Sequence, residues 1–194
     1  GPALERWLSA GYHGGMEYLA RPDSVRRRQA LEETLSTVRS VIVVGHEYYH
    51  EDDPALTADP SLGVVARYAR GRDYHEVVHE RLTALLEWLD ENVDGGARGR
   101  VYVDTGPILE RDLAQRAGLG WFGRHTMLIH PRKGSYYLLG VILVDVELPV
   151  SEPIASDHCG SCRACLDACP TGALLGRDES ARSKRPPAVG YLLL

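Results

Sequence analysis

The sequence predicts an α/β domain followed by a small cysteine-bearing module. Apolar runs of strand type alternate with helix-period stretches through residues 1–150. All four cysteines fall within residues 159–169. Residues 147–157, between the two, show neither period and read as a linker. Domain, module and unstructured tail are therefore expected at 1–150, 151–179 and 180–194. A chain of 194 residues suffices for one ordinary domain plus such a module, and 44% hydrophobic content allows a core. The net charge of −5 means that any nucleic-acid contact must come from local basic patches, not a global field. There is no signal peptide and no apolar run of membrane-span length, so no membrane association is expected. The chain opens on Gly1-Pro2 instead of Met, as a trimmed or partial chain would.

The elements follow in order. Residues 3–12 read as a short amphipathic helix, stopped by Gly14-Gly15. Arg26-Arg27-Arg28 opens a helix running to about Leu35. Three Arg in a row are commonly a solvated face, and an anion site is the sharper reading. Ser40–Tyr49 begins with a β-branched run that suits a strand buried on both faces. Glu51–Pro60 is acidic and proline-bearing, hence a loop, and Val64–Tyr68 is a short strand or a pocket lining. Tyr74–Asn92 carries Val77, Val78, Leu82, Leu85, Leu86 and Leu89 at helical spacing. Arg100–Asp104 is a second strand, and Ile108–Ala117 a helix with Pro107 at its start. Gly118–Gly123 is a glycine-rich turn. Met127–Ile129 and Tyr136–Val146 are strands joined through Pro131–Gly134. The basic, proline-rich tail 180–194 has no start signal or alternation, and order there is not expected. No internal repeat is visible.

The cysteine run reads Cys159-x2-Cys162-x2-Cys165-x3-Cys169-Pro170, the spacing of a ferredoxin-type iron–sulfur ligand set. Gly160 and Ser161 permit the tight turn that three thiolates around one cubane need. Cys159, Cys162 and Cys165 are thus expected on one [4Fe–4S] cluster, with Cys169 starting a helix and directed at a second. Zinc commonly takes two separated C-x-x-C pairs, and disulfides suit small secreted chains; neither describes this run. Thiols of this kind imply a reducing compartment, hence the cytoplasm.

Three further patterns carry chemistry. Asp104 ends a predicted strand and precedes Thr105-Gly106-Pro107. A partly desolvated carboxyl at a strand end could hold and deliver a proton, while capping of the next helix or turn is the simpler reading from spacing. His75-Glu76-x-x-His79 matches H-E-x-x-H on a helix, which in zinc hydrolases supplies two ligands and a base. The flanking Arg72, Glu80 and Arg81 suit a surface instead, so zinc is the rival hypothesis. Gly118-x-Gly120-x-x-Gly123 matches a dinucleotide fingerprint but follows a helix, not a strand. Its glycines better suit close approach of a bulky flat ligand, with Trp121, Phe122, Tyr136 and Tyr137 as pocket lining or as aromatic core.

Several blocks in order carry a resemblance. They are Gly14-Gly15-Met16-Glu17-Tyr18-Leu19, Gly71-Arg72-Asp73-Tyr74-His75, Val103-Asp104-Thr105-Gly106-Pro107 through Glu110, Ala117 through Gly123, Gly134-Ser135-Tyr136 and Cys159 through Ala173. Over roughly residues 3–178 the chain resembles the epoxyqueuosine reductases, cobalamin-dependent iron–sulfur enzymes of tRNA modification. The resemblance implies reduction of the epoxide of epoxyqueuosine in tRNA anticodons, with electrons passing from [4Fe–4S] clusters to cobalamin. It implies that residues 1–150 bind cobalamin, that Asp104 is the proton donor, and that Arg27, Ala66, Asp104, His125, Leu128 and Leu139 face the cofactor. His125 stands where the family more often has Asn, so backbone and apolar surface matter there more than the side chain. It also implies an electron-donor protein and a tRNA as partners of a monomer.

The family continues past Thr171-Gly172-Ala173 with another Cys and a second C-x-x-C-x-x-x-C-P run, whereas here the chain turns to Ser183-Lys184-Arg185-Pro186-Pro187. One cluster, cobalamin binding and weak or absent reductase activity are therefore expected of this chain. A ferredoxin-like electron carrier is the alternative from a different class.

Overall fold

The computed structural model describes residues 2–154 and 158–174. The chain opens with α1 (Pro2–Ser9), whose Leu4 and Trp7 are buried. It continues with α2 (Pro22–Gln29) and a 3-10 turn over Leu31–Glu33. The second helix starts four residues before the predicted Arg26, because Pro22 at its first turn presets the helical φ, and it ends where Ala30 turns extended. β1 (Ser40–Glu47) follows, then the short α3 (Pro54–Ala58) inside the predicted loop, capped by Asp53 accepting from the Ala55 N–H at 2.9 Å. Val64 and Val65 form no strand and are exposed, and a 3-10 turn covers Arg67–Ala69. α4 (Tyr74–Asn92) has the predicted bounds, with Asp73 as a side-chain cap and Val78, Leu82 and Leu89 on its buried face.

The remaining elements are β2 (Gly99–Tyr102), α5 (Glu110–Arg116), β3 (Trp121–Phe122), β4 (Leu128–Ile129), β5 (Tyr137–Val144) and α6 (Ala164–Asp167). Among the described residues the main sheet has three strands in the order β1-β5-β2, both pairings antiparallel. β5 is central, and Gly140–Val144 is buried throughout. β1 is an edge strand, half-buried over most of its length and not covered on both faces as its β-branched run suggested. The doubly covered strand is β5, whose residues alternate between two cores. Ile142 and Val144 pack with Val78, Leu82, Ile42 and Val44 on the α4 side. Val141 and Leu143 pack with Ile108, Val41, Val43, Leu31 and Leu35 on the other.

α4 lies so close to β5 that a Cβ on Gly140 would come within 2.5 Å of Leu82 Cδ1. Ile142 is fully buried at the middle of this arrangement. Ile142→Ala is expected to cost about 2–5 kcal/mol, read as a lowered urea midpoint with an unchanged slope.

β4 does not pair with β5, as the shared turn suggested, but with β3, in the stretch expected to be only a glycine turn. Gly120 explains this pairing. A Cβ there would lie 2.2 Å from the Ile129 carbonyl oxygen, so only glycine allows the two backbones to meet. In the cysteine module the helix α6 precedes Cys169, which leads into a turn and does not start a helix. The expected tail 180–194 lies outside the described residues. No helix among the described residues is long and apolar enough to cross a membrane.

Candidate active site and cysteine module

Asp104 follows β2 by two residues and takes a left-handed backbone, φ 55°. Thr105 N–H donates to the Val103 carbonyl at 2.6 Å across this bend. The sheet is antiparallel, so the open-sheet argument from strand ends does not place the site. The first turn of α4 does. Its cap aims Tyr74 and His75 at the bend: the Tyr74 hydroxyl donates to Asp104 Oδ2, and His75 Nε2 lies 4.0 Å from the same oxygen. The two rings stack at 4.1 Å, and Asp73 holds His75 Nδ1 at 2.8 Å. Burial first, then the Asp104 carboxylate, pushes Tyr74 ionisation well above its ordinary value, so Tyr74 stays a hydroxyl donor at neutral pH. Asp104 is not a helix cap, since Leu109 occupies that position before α5. Its side chain is 53% exposed and open to a reactant.

Behind Asp104 sits Glu110, at the start of α5. Burial, reinforced by Asp104, raises its pKa to about 7, and its Oε1 is buried without a hydrogen-bond partner. A hydrogen bond from the Asp104 backbone, and then Arg111 and Arg28, oppose that shift. Arg111 also donates to the Thr126 carbonyl at 2.6 Å, tying α5 to the turn before β4. A carboxyl whose folded pKa lies above its unfolded value binds its proton more tightly in the folded state. Stability from this group is full below about pH 4.5 and is lost as pH rises to about 7, on the order of 3 kcal/mol in all. Glu110→Gln is expected to remove that slope from denaturation midpoints taken between those pH values.

The other residues expected at a cofactor come from separate elements of the chain. Arg27 is exposed, and its neighbour Arg28 is the half-buried one, held by Ser24. Ala66 is exposed and caps the 3-10 turn at Arg67. His125 is half-buried, which lowers its pKa, and its Nδ1 accepts from the Met127 N–H at 3.0 Å. Leu128 is buried in β4. Leu139, opposite Gly45, lies on the sheet face away from α4.

Of the aromatics expected to line a pocket, Trp121 is core and Tyr136 is on the surface. Tyr136 belongs to a group that the sequence did not reveal. Tyr49 and Tyr48 lie 5.0 and 5.6 Å from it, Tyr68 lies 6.4 Å from Tyr48, and Tyr74 lies 6.3 Å from Tyr68. Arg67 covers Tyr49 and Tyr136, and Asp52 grips Arg67 at 2.7 Å and also Arg70. Beside them opens a cavity of about 500 Å³, lined in part by His50, Leu62, Val64, Val65 and Arg70.

No disulfide joins the four cysteines; Cys162 is exposed and the others are half-buried. The Leu174 backbone N–H, then the Thr171 hydroxyl and the Thr171 and Ala173 backbone, lower the Cys169 pKa to about 7, which favours the thiolate that a metal needs. No three His, Cys, Asp or Glu side chains among the described residues are gathered tightly enough to hold a metal ion. The fit to an iron–sulfur cluster therefore rests on donor type and spacing, with the metal drawing the thiolates together. Among the described residues the H-E-x-x-H helix has no third ligand either: His75 faces Asp73, and His79 faces Thr83.

Fold and sequence define a mixed α/β protein that carries a run of four cysteines at iron–sulfur ligand spacing. Two family models match it: epoxyqueuosine reductase QueG, DUF1730, over residues 28–105, and a 4Fe-4S binding domain over residues 153–175. The chain is similar in sequence to the epoxyqueuosine reductases. It is 45% identical to the epoxyqueuosine reductase of Pseudomonas aeruginosa over 89% of its own length and 48% of that protein's. It is 43% identical to that of Vibrio cholerae over 90% of its own length and 47% of that protein's. The chain thus spans about half the length of the curated relatives it matches. A crystal structure of epoxyqueuosine reductase with an epoxyqueuosine-modified tRNA-Tyr stem loop superposes with a TM-score of 0.75, at 35% identity, over 89% of this chain and 45% of that one.

Proposed function

We propose that this chain carries the proton-donating and electron-entry portions of an epoxyqueuosine reductase, acting on epoxyqueuosine in a tRNA anticodon with cobalamin and [4Fe–4S] as cofactors. The observation that carries this reading is the placement of Asp104. Its half-exposed carboxyl is held by Tyr74 and approached by His75, in a family whose substrate oxygen must gain a proton as its C–O bonds break. Asp104 delivers that proton to the substrate oxygen. Tyr74 orients the carboxyl through its hydroxyl. His75 lies close enough to Oδ2 to stabilise negative charge once the proton has left.

Cobalamin, when bound, supplies the reduced cobalt that engages the substrate. The exposed Val64, Val65, Tyr68 and Tyr136 offer the apolar and aromatic surface that a corrin face requires. Arg27, Ala66, His125, Leu128 and Leu139 are its proposed further contacts. Cys159, Cys162, Cys165 and Cys169 hold iron, and the four cysteines of this chain suffice for one cluster. Domain boundaries near 150 and 179, a monomeric state, an electron-donor protein and a cytoplasmic location complete the reading.

Anaerobic reconstitution with iron and sulfide, then mixing with hydroxocobalamin and gel filtration, tests it. Iron and corrinoid co-eluting with the protein are expected, at about four irons per chain. Iron without corrinoid would favour a simple electron carrier, and about eight irons would overturn the single-cluster view.

A further inference from the structure

The turn between β3 and β4 reaches across to the cysteine run through one side chain. Arg124 Nη1 donates to the Cys162 carbonyl at 2.9 Å, and Nη2 donates to the Gly160 carbonyl at 2.6 Å. These carbonyls lie within the tight Cys159–Cys162 turn, where Gly160 is left-handed at φ 52°. The guanidinium fork suits such a two-point grip, which the single ammonium of lysine cannot reproduce. Arg124 Nε is buried and has no hydrogen-bond partner, so a third N–H donor of this side chain remains unused. The same hairpin touches the run a second time, where the Trp121 ring meets that of His158 at 4.8 Å. Ahead of the run, the chain passes close to the turn before β3: a Cβ on Gly118 would lie 2.5 Å from the Glu152 carbonyl oxygen.

We propose that Arg124 is the positioning residue of the iron–sulfur cluster, fixing the Cys159–Cys162 turn against the α/β domain and placing a permanent positive charge beside the ligand sulfurs. The charge has a consequence that a purely mechanical strut would not. A cation near the cluster favours the reduced, more negative state and raises its potential. The grip has another consequence: it holds the first two thiolates in register for the metal and slows their release. This inference rests on the iron–sulfur reading of the four cysteines.

The test uses the whole chain, reconstituted anaerobically with iron and sulfide, in three forms: wild type, Arg124→Ala and Arg124→Lys. Arg124→Ala is expected to load iron, to lose it to a chelator about tenfold faster, and to titrate at a more negative midpoint by EPR-monitored reduction. Arg124→Lys keeps the charge without the fork, so it should lose iron faster at a nearly unchanged midpoint. Before reconstitution, amides of residues 160–163 should exchange faster in both variants. Unchanged midpoint and exchange in Arg124→Ala overturn the proposal. Should Arg124→Ala fail to fold, judged by circular dichroism, Arg124→Lys decides alone: wild-type iron loss and exchange overturn the proposal, and faster loss supports it. A wild-type chain that takes up no iron refutes the cluster reading itself, a different failure from an unchanged variant.

Discussion

Asp104→Asn is expected to lower epoxyqueuosine reduction by about 10²–10⁴-fold, the usual contribution of a positioned general acid, while cobalamin binding is retained. The side chains match in shape, so Asn accepts the Tyr74 hydroxyl through its amide oxygen as Asp104 does through Oδ2. What the variant lacks is a proton to give. Single-turnover assays on modified tRNA, run in a full-length relative carrying the matching substitution, measure the loss; the corrinoid absorption spectrum confirms that cofactor is still bound. Turnover within a few-fold of wild type would remove Asp104 from the chemistry. A parallel Tyr74→Phe should cost less, because it removes the hydroxyl that orients the acid but leaves the acid in place. The Tyr74 and His75 rings remain stacked in that variant, so a loss can be assigned to the hydroxyl.

Cys165→Ser should abolish cluster assembly in this chain. Cys165 is the second residue of α6 and half-buried, so a hydroxyl there removes one of the three thiolates, with Cys159 and Cys162, that the spacing assigns to one cubane. Reconstituted Cys165→Ser is expected to retain little of the wild-type brown absorption and iron, against the full complement of about four irons for wild type. The fold of residues 2–154 should be untouched, read as an unchanged thermal transition. Full iron retention in the variant would mean that the ligands are not the ones assigned.

Much of the fold could be read locally. α4 was legible because nineteen residues keep one period and begin at an Asp cap. The cysteine run was legible because its chemistry is its spacing. What could not be read was long-range. Nothing within Ser40–Tyr49 tells a central strand from an edge; that depends on β5 lying between β1 and β2, forty or more residues away. The β3–β4 pairing depends on a backbone approach that Gly120 permits and no periodicity announces. α3 was missed because five residues carry too little pattern, although Asp53-Pro54 is a start signal.

The site divides in the same way. Asp104 was located through its resemblance block, and its spacing suggested a cap. Tyr74 and Glu110 stood inside quoted blocks without a role, because their part comes from contacts across the chain. A tyrosine placed directly after a helix-capping Asp, in the strand-facing first turn, was the signal available for Tyr74. Arg124 carried no signal at all, since a lone arginine in a turn is usually solvated.

The left-handed bend at Asp104 has one more implication. A residue with a Cβ sits there at a cost of about 1 kcal/mol relative to glycine. Asp104→Gly relieves that cost but gives up the Tyr74 hydrogen bond and adds freedom to the unfolded chain, so it should melt close to the natural chain while being unable to protonate its substrate. On the proposed role of Asp104 as the acid, this bend is where reactivity is set against durability.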